Sequence, residues 1–392
     1  YSATVTVDPN RRGPAINPLF FGVNSLFWIE DDKARADGRI ARALREMPCG
    51  LIRFPGGEVA DNFHWKTTRL DDANDFPKAE GPDKLEFDEF IAWKNGIGAE
   101  AILVVNLESG YKRGDMEAGI REAADWVRYA NIEKGYGVRF WEIGNETNLV
   151  GTRYALTAEE YADAVVRFSR AMKAVDPTIL VGALGPVSPD GPAFLDTLTP
   201  EAVERVRGMR SWEVRKYRNE LEKHGRPVPG WWETVTERAD GHFDFAIIHR
   251  YEGARRRFFE AGNQPLGLEE RVSALDAYLR KRLGRHVPLA LTEWNTNKHC
   301  EFDATEHALT IAELVGDYLK AGVDMANYWP LRYPMPKSRT DRFRQLLTME
   351  TREPRPPYTV MQTLARTADQ VVMASRADNP ELYTFASLDP GD

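Results

Sequence analysis

The sequence predicts an α/β protein built as an eight-stranded parallel barrel, a (β/α)8 TIM barrel, with a partial accessory β-layer from the chain ends. Three observations predict it. Eight short runs rich in β-branched and aromatic residues recur along the 392 residues, and helical patterns fill the intervals between them. The runs are near-continuously apolar, as strands covered on both faces are, and do not alternate as half-exposed strands do. An open doubly wound sheet would share this order of elements, but nothing like a glycine-rich phosphate loop occurs in FGVNSLFWIE after the first run.

The runs are FFGVN at 20–24, LIRFP at 51–55, AILVVN at 101–106, VRFWEIGNE at 138–146, ILVGAL at 179–184, FDFAIIHRY at 243–251, PLALTEWN at 288–295 and MANYWP at 325–330. A helix over 157–175 illustrates the intervals. Thr157 and Glu160 form a capping-box pattern, Tyr161, Val165, Phe168 and Met172 repeat at three- and four-residue spacing, and Asp176-Pro177 stops the run. The connection 185–242 is too long for a barrel loop and reads as an insertion over one rim. The barrel is therefore expected over 18–367. Residues 1–17 and 368–392, with strand-like SATVTVD and VVMASRADNPELYTFASL, are expected to form accessory strands of an incomplete β-sandwich.

Composition bounds the function. Hydrophobic residues at 42% and charged residues at 29% exclude a disordered or fibrous chain, and a net charge of −8 argues against a nucleic-acid partner. No apolar run is long enough to span a bilayer, so no membrane partner is expected. No charged-then-apolar leader precedes Tyr1 and the first residue is not Met, so the chain reads as mature or trimmed, secreted or periplasmic, with the cytoplasm as the alternative. Cys49 and Cys300 fall near opposite rims of the expected barrel and are read as free thiols. The seven histidines lack HExxH or CxxC company and no GxSxG elbow occurs, so neither a metal nor a cofactor is expected.

In this architecture the reacting groups sit at the C-terminal ends of strands. Those ends carry Asn24, Arg53, Asn106, Asn145 with Glu146, His249 with Tyr251, Glu293 with Trp294 and Asn295, and Trp329, a polar set where packing alone would place apolar side chains. Glu146 and Glu293 close the fourth and seventh strands, across the barrel mouth from one another. Two carboxylates flanking a small gap are what glycosidic bond cleavage requires.

WEIGNE at 141–146 and LTEWN at 291–295, with IRFPGG at 52–57, HRY at 249–251 and YWP at 328–330, resemble clan A of the retaining glycoside hydrolases over about residues 18–367. RFPGGEVADNFHWK at 53–66 is most similar to family 51 α-L-arabinofuranosidases, although the Glu-His-rich motif usual after that family's first strand is not reproduced. The resemblance implies a carbohydrate substrate, Glu146 as general acid/base and Glu293 as nucleophile. It implies that Asn145 contacts the hydroxyl next to the anomeric carbon, that Arg53 and Tyr251 hold Glu293 ionised, and that Trp329, Trp65 and Trp294 are sugar-stacking candidates. Asn106 and His249 complete the expected substrate-binding set. Glu146 must stay protonated near neutral pH, which calls for an apolar wall and the neighbouring negative charge of Glu293. Glu142, deeper on the same strand, reads as a buried paired residue.

Two alternatives stay open. Arg255, Arg256, Arg257, Arg332 and Arg339 make the loops after the sixth and eighth strands basic, which would suit an anionic, uronate-containing or sulfated polysaccharide. A barrel that binds carbohydrate without cleaving it is the other.

Overall fold

The computed structural model describes residues 3–71, 79–150, 155–207, 209, 211–252, 267–297, 303–334, 344–379 and 382–391. In chain order its strands are β1 Val5–Ala15, β2 Gly22–Asn24, β3 Leu51–Phe54, β4 Phe63–His64, β5 Arg69–Leu70, β6 Glu100–Val105, β7 Phe140–Ile143, β8 Leu180–Leu184, β9 Phe245–Glu252, β10 Leu289–Thr296, β11 Met325–Tyr328, β12 Val371–Ala377 and β13 Ala386–Leu388. Strands β2, β3, β6, β7, β8, β9, β10 and β11 close into one parallel barrel in that order. All eight expected runs are barrel strands.

Helices form where the pattern requires them. Thr157 caps Ala158–Val175 and Glu160 reaches back to it, while Tyr161, Val165, Phe168 and Met172 are buried against the barrel. The Tyr161 hydroxyl sits between two strands: it donates to Ile143 O at 3.0 Å and accepts from Leu184 N at 2.7 Å. Tyr161 also stacks on Trp231 at 5.3 Å, and Trp126, Trp141, Trp231 and Trp232 are fully buried between strands and helices. Trp231 belongs to Trp231–Ala239, a helix that packs on the barrel layer. Before it, Pro200–Val206 and Ser211–Tyr217 carry a small apolar cluster of their own around Leu195, Leu198, Val203 and Leu221.

The chain ends meet in a three-stranded antiparallel sheet, β1-β12-β13, with Val5 opposite Ala377 and Val371 opposite both Ala15 and Leu388. Cys49 is buried and unbridged, its thiol pushed up to about 12 by burial, whereas Cys300 lies outside the described residues. No helix among the described residues is long and apolar enough to cross a membrane.

Tyr161→Phe tests the inter-strand bridge. It keeps the ring packing but leaves Leu184 N–H and Ile143 C=O unmatched in the core, so chemical denaturation is expected to show a loss of about 1–3 kcal/mol. Unchanged stability would refute the bridge as a strut.

Candidate active site

The site begins with Arg53 at the end of β3, a guanidinium with no solvent exposure. Its Nε and Nη2 pair with Glu142 at 2.8 and 2.9 Å. Nη1 donates to Glu293 at 2.8 Å and to Asn24 at 3.1 Å, and Nη2 also donates to Asn145 at 2.8 Å. All five donors of the fork are thereby used. Arg53 has nothing left for substrate, which corrects its place in the expected substrate-binding set: it fixes the carboxylates.

Glu293 ends in the mouth with Oε1 on Arg53 and Oε2 accepting from the Tyr251 hydroxyl at 2.7 Å. A Cβ added at Gly57 would stand 2.7 Å from Glu293 Oε1 and 3.1 Å from the Trp329 ring, so glycine is what lets the β3 loop pass beneath both. Trp329, half-buried, is the ring that shares the space beside Gly57 with Glu293. Asn145 has its Oδ1 on Arg53 and its buried Nδ2 without a hydrogen-bond partner among the described residues.

Glu146 is aimed by backbone strain. After β7 the chain turns through Gly144 at φ +71° and Glu146 at φ +50°, a left-handed conformation that a non-glycine residue adopts only when its surroundings impose it. Asp61 supplies part of that hold by accepting Asn145 N–H at 2.8 Å. Burial, and then the neighbouring Glu108 charge, push the Asp61 carboxyl well above its ordinary range. Sequence reasoning missed Asp61; the one available signal was an acid between Ala60 and Asn62 in EVADNF, the turn that follows Gly57.

The wall beside Glu146 is not the expected apolar surface but His249. Its Nδ1 lies 3.0 Å from Glu146 Oε1 and its Nε2 3.0 Å from Thr292 Oγ1. Thr292 is in turn 3.4 Å from Glu142 Oε1, which as a salt-bridged carboxylate only accepts. The threonine proton therefore points to Glu142, Nε2–H donates to Thr292, and the variable proton is the one between Nδ1 and Glu146. Burial raises the Glu146 carboxyl, but the hydrogen bond and charge of His249, helped by Arg53, outweigh it and leave the group below its ordinary value. Burial lowers His249, but the charges of Glu293 and Glu146 raise it overall. Both ring nitrogens of His249, expected in the substrate-binding set, are engaged by protein groups, Glu146 and Thr292.

Three further expectations change. Trp294 is fully buried among Phe20, Tyr318 and Tyr328, and Trp65 stacks on Trp126 at 5.9 Å with its Nε1 on Glu122 O, so both are packing residues outside the mouth. Asn106 spends its amide on Phe63 O and Ser109 N, so it organises the β6 loop. Of the basic loops, Arg255, Arg256, Arg257 and Arg339 lie outside the described residues. Arg332 faces inward, buried and bound to Glu30, Ile29 O and Met349 O, so it does not serve an anionic ligand.

Among the described residues, Glu146, His249 and Glu293 are the group spaced to offer a metal three ligand atoms, all within 4.8 Å of one another. The relevant oxygens are already committed to Arg53, Tyr251 and His249.

Residues 43–218 match the model of the α-L-arabinofuranosidase 1 domain. The chain is similar to an intracellular exo-α-(1→5)-L-arabinofuranosidase of Acetivibrio thermocellus, 23% identical over 76% of this chain and 59% of the relative. It is also similar to α-L-arabinofuranosidase C of Emericella nidulans, 28% identical over 50% of this chain and 45% of the relative. The matches thus span about half the length of these relatives. In fold it is similar to a family 51 α-L-arabinofuranosidase from Bifidobacterium longum, with a TM-score of 0.68, 17% identity, and 99% of this chain and 82% of that one covered.

Removing Arg53 leaves Glu142 an uncompensated charge at zero exposure. Arg53→Ala is expected to lower stability in urea titration by about 3–5 kcal/mol; a loss below 1 kcal/mol would mean that the barrel holds its carboxylates by other means.

Proposed function

We propose that this chain, a clan A glycoside hydrolase of the arabinofuranosidase-like, family 51 type, cleaves arabinofuranosidic bonds of an oligo- or polysaccharide with retention of configuration. One observation carries the reading: carboxylate oxygens of Glu146 and Glu293 lie within 4.8 Å of one another. That closeness is in keeping with the ~5–5.5 Å between the carboxyl groups of retaining enzymes, against the ~6.5–9.5 Å gap in which an inverting enzyme seats a water.

The steps follow from the two environments. Glu293, ionised and aimed by Arg53 and Tyr251, attacks the anomeric carbon while the C–O bond to the leaving group breaks. The departing oxygen takes a proton from Glu146. As the new bond consumes the charge on Glu293, the imidazolium of His249 loses its largest support, and the proton between Nδ1 and Oε1 shifts toward Glu146 and on to the leaving oxygen. Water then attacks the glycosyl ester, Glu146 takes its proton, and Glu293 is released. Asn145 Nδ2 is placed to donate to the adjacent sugar hydroxyl, an interaction that strengthens as the ring becomes oxocarbenium-like, and Trp329 offers a ring face to the sugar.

Proton NMR of the first-formed sugar from an aryl α-L-arabinofuranoside is expected to show the α-anomer, and Glu293→Ala to lack turnover. Glu146→Ala is expected to slow poor leaving groups by 10²-fold or more and activated aryl groups far less. An inverted product, or equal losses on both leaving groups, would sink the assignment.

The pair also sets the pH limit. The essential proton belongs to His249 and Glu146 jointly, so the alkaline fall of kcat/KM reports a macroscopic value for the pair. That value is never below the value of Glu146 beside a neutral histidine. Replacing His249 with Gln leaves only the carboxyl to hold the proton, and the alkaline limb is expected to move to lower pH. A limb that stays in place would show that His249 does not share the proton.

A further inference from the structure

The insertion between β8 and β9 and the first turn of the Ala158–Val175 helix border a cavity of about 370 Å³, with Leu198, Val203, Val228 and Pro229 as its apolar flank. Arg53, Glu146, His249 and Glu293 do not line it, so it is separate from the active site. His224 stands in its wall with one ring nitrogen used and the other idle. Nε2 lies 2.6 Å from Asp196 O, a carbonyl that only accepts, so Nε2 carries a hydrogen. Nδ1 is buried and has no hydrogen-bond partner among the described residues. In the neutral ring Nδ1 is then an acceptor that lacks a donor, and a buried acceptor left unmatched is costly.

The charged groups around it are already engaged. Arg207 joins Glu160 and Glu204, Glu159 pairs with Arg238, and the two oxygens of Asp196 accept from Ala158 N at 2.8 Å and Ala193 N at 3.1 Å. A cationic ligand thus meets carboxylates that already hold partners, and four acids against Arg207 and Arg226 repel an anion.

We propose that this cavity is a second, non-catalytic site that binds a small neutral sugar, one of whose hydroxyls donates to His224 Nδ1; the inference goes beyond the hydrolase reading and does not require it. The volume falls in the lower part of the ~300–1,000 Å³ typical of small-molecule sites, which suits a short sugar and not a long chain. Hydroxyls serve Nδ1 and the spare lone pairs of Glu160 and Glu204, while the aliphatic flank meets the C–H face of the ring.

The test follows the imidazole nitrogens by NMR of Glu293→Ala protein labelled with 15N-histidine, as arabinobiose is added; His224→Gln identifies the His224 signals. The Nδ1 signal of His224 is expected to move upfield, as an acceptor nitrogen does on receiving a hydrogen bond. Pro229 is exposed at the rim, so an indole there fills the mouth without entering the core. Pro229→Trp is expected to weaken the His224 response by about tenfold or more, with the other histidine signals of the free protein unchanged as the sign of an intact fold. A His224 signal that never moves in the Pro229 parent, that moves as readily with glycerol, or that responds unaltered in Pro229→Trp overturns the site. The hydrolase reading fails differently: wild-type protein that shows the His224 response yet does not cleave arabinobiose overturns that reading and leaves this site standing.

Discussion

A fully buried guanidinium can be tolerated only if its charge is matched and each of its donors is satisfied, and Arg53 meets both conditions inside the barrel. Its partners come from three other strand ends: Asn24 at the end of β2, Glu142 and Asn145 on and after β7, and Glu293 on β10. Asn24 extends the network by donating to Thr292 O and Asn327 O, which ties β10 and β11 to the same knot. Strand register is thereby coupled to charge. Asn24 lies opposite Arg53 across the β2-β3 pair, and a shift of either strand by one residue would turn these groups to the wrong face.

The same knot gives two chemically identical side chains different behaviour. Glu293 is held from both oxygens by a cation and a phenol, whereas Glu146, on a strained turn, faces an imidazole whose own state depends on Glu293. Different surroundings around chemically identical groups are the general means by which one site runs two roles. Here the difference rests on Thr292 and Glu142 as much as on the two glutamates, because they fix which nitrogen of His249 faces Glu146.

The barrel was legible in the sequence because its strands are covered on both faces and so appear as near-continuous apolar runs, most of them ending in a polar residue. Glu146, Glu293, Asn145 and Tyr251 were legible for the same reason, since position at a strand end identifies what faces the mouth. Side-chain direction was not. Trp294 follows Glu293 directly, and the pleat that turns the glutamate inward turns the tryptophan outward into the helix layer. Trp65 lies on a loop whose path no period describes. Asp61 was illegible because it acts through a backbone N–H 84 residues away, and His249 because its role depends on which of its nitrogens meets which neighbour.

The sheet made by the two chain ends has a further consequence, for self-association. In the order β1-β12-β13, β1 is an outer strand, and a strand with one free edge is a template for another copy of itself. Val5 and Val7 are exposed on it, which would favour such pairing. Pro9 and Pro14 have no N–H to offer, and Arg11 and Arg12 between them would bring like charges together in a stacked copy. The register also slips twice between Asp8 and Ala15, so the edge is not a straight ladder. Among the described residues, the outer edge of β1 thus carries four residues that oppose pairing with a second copy.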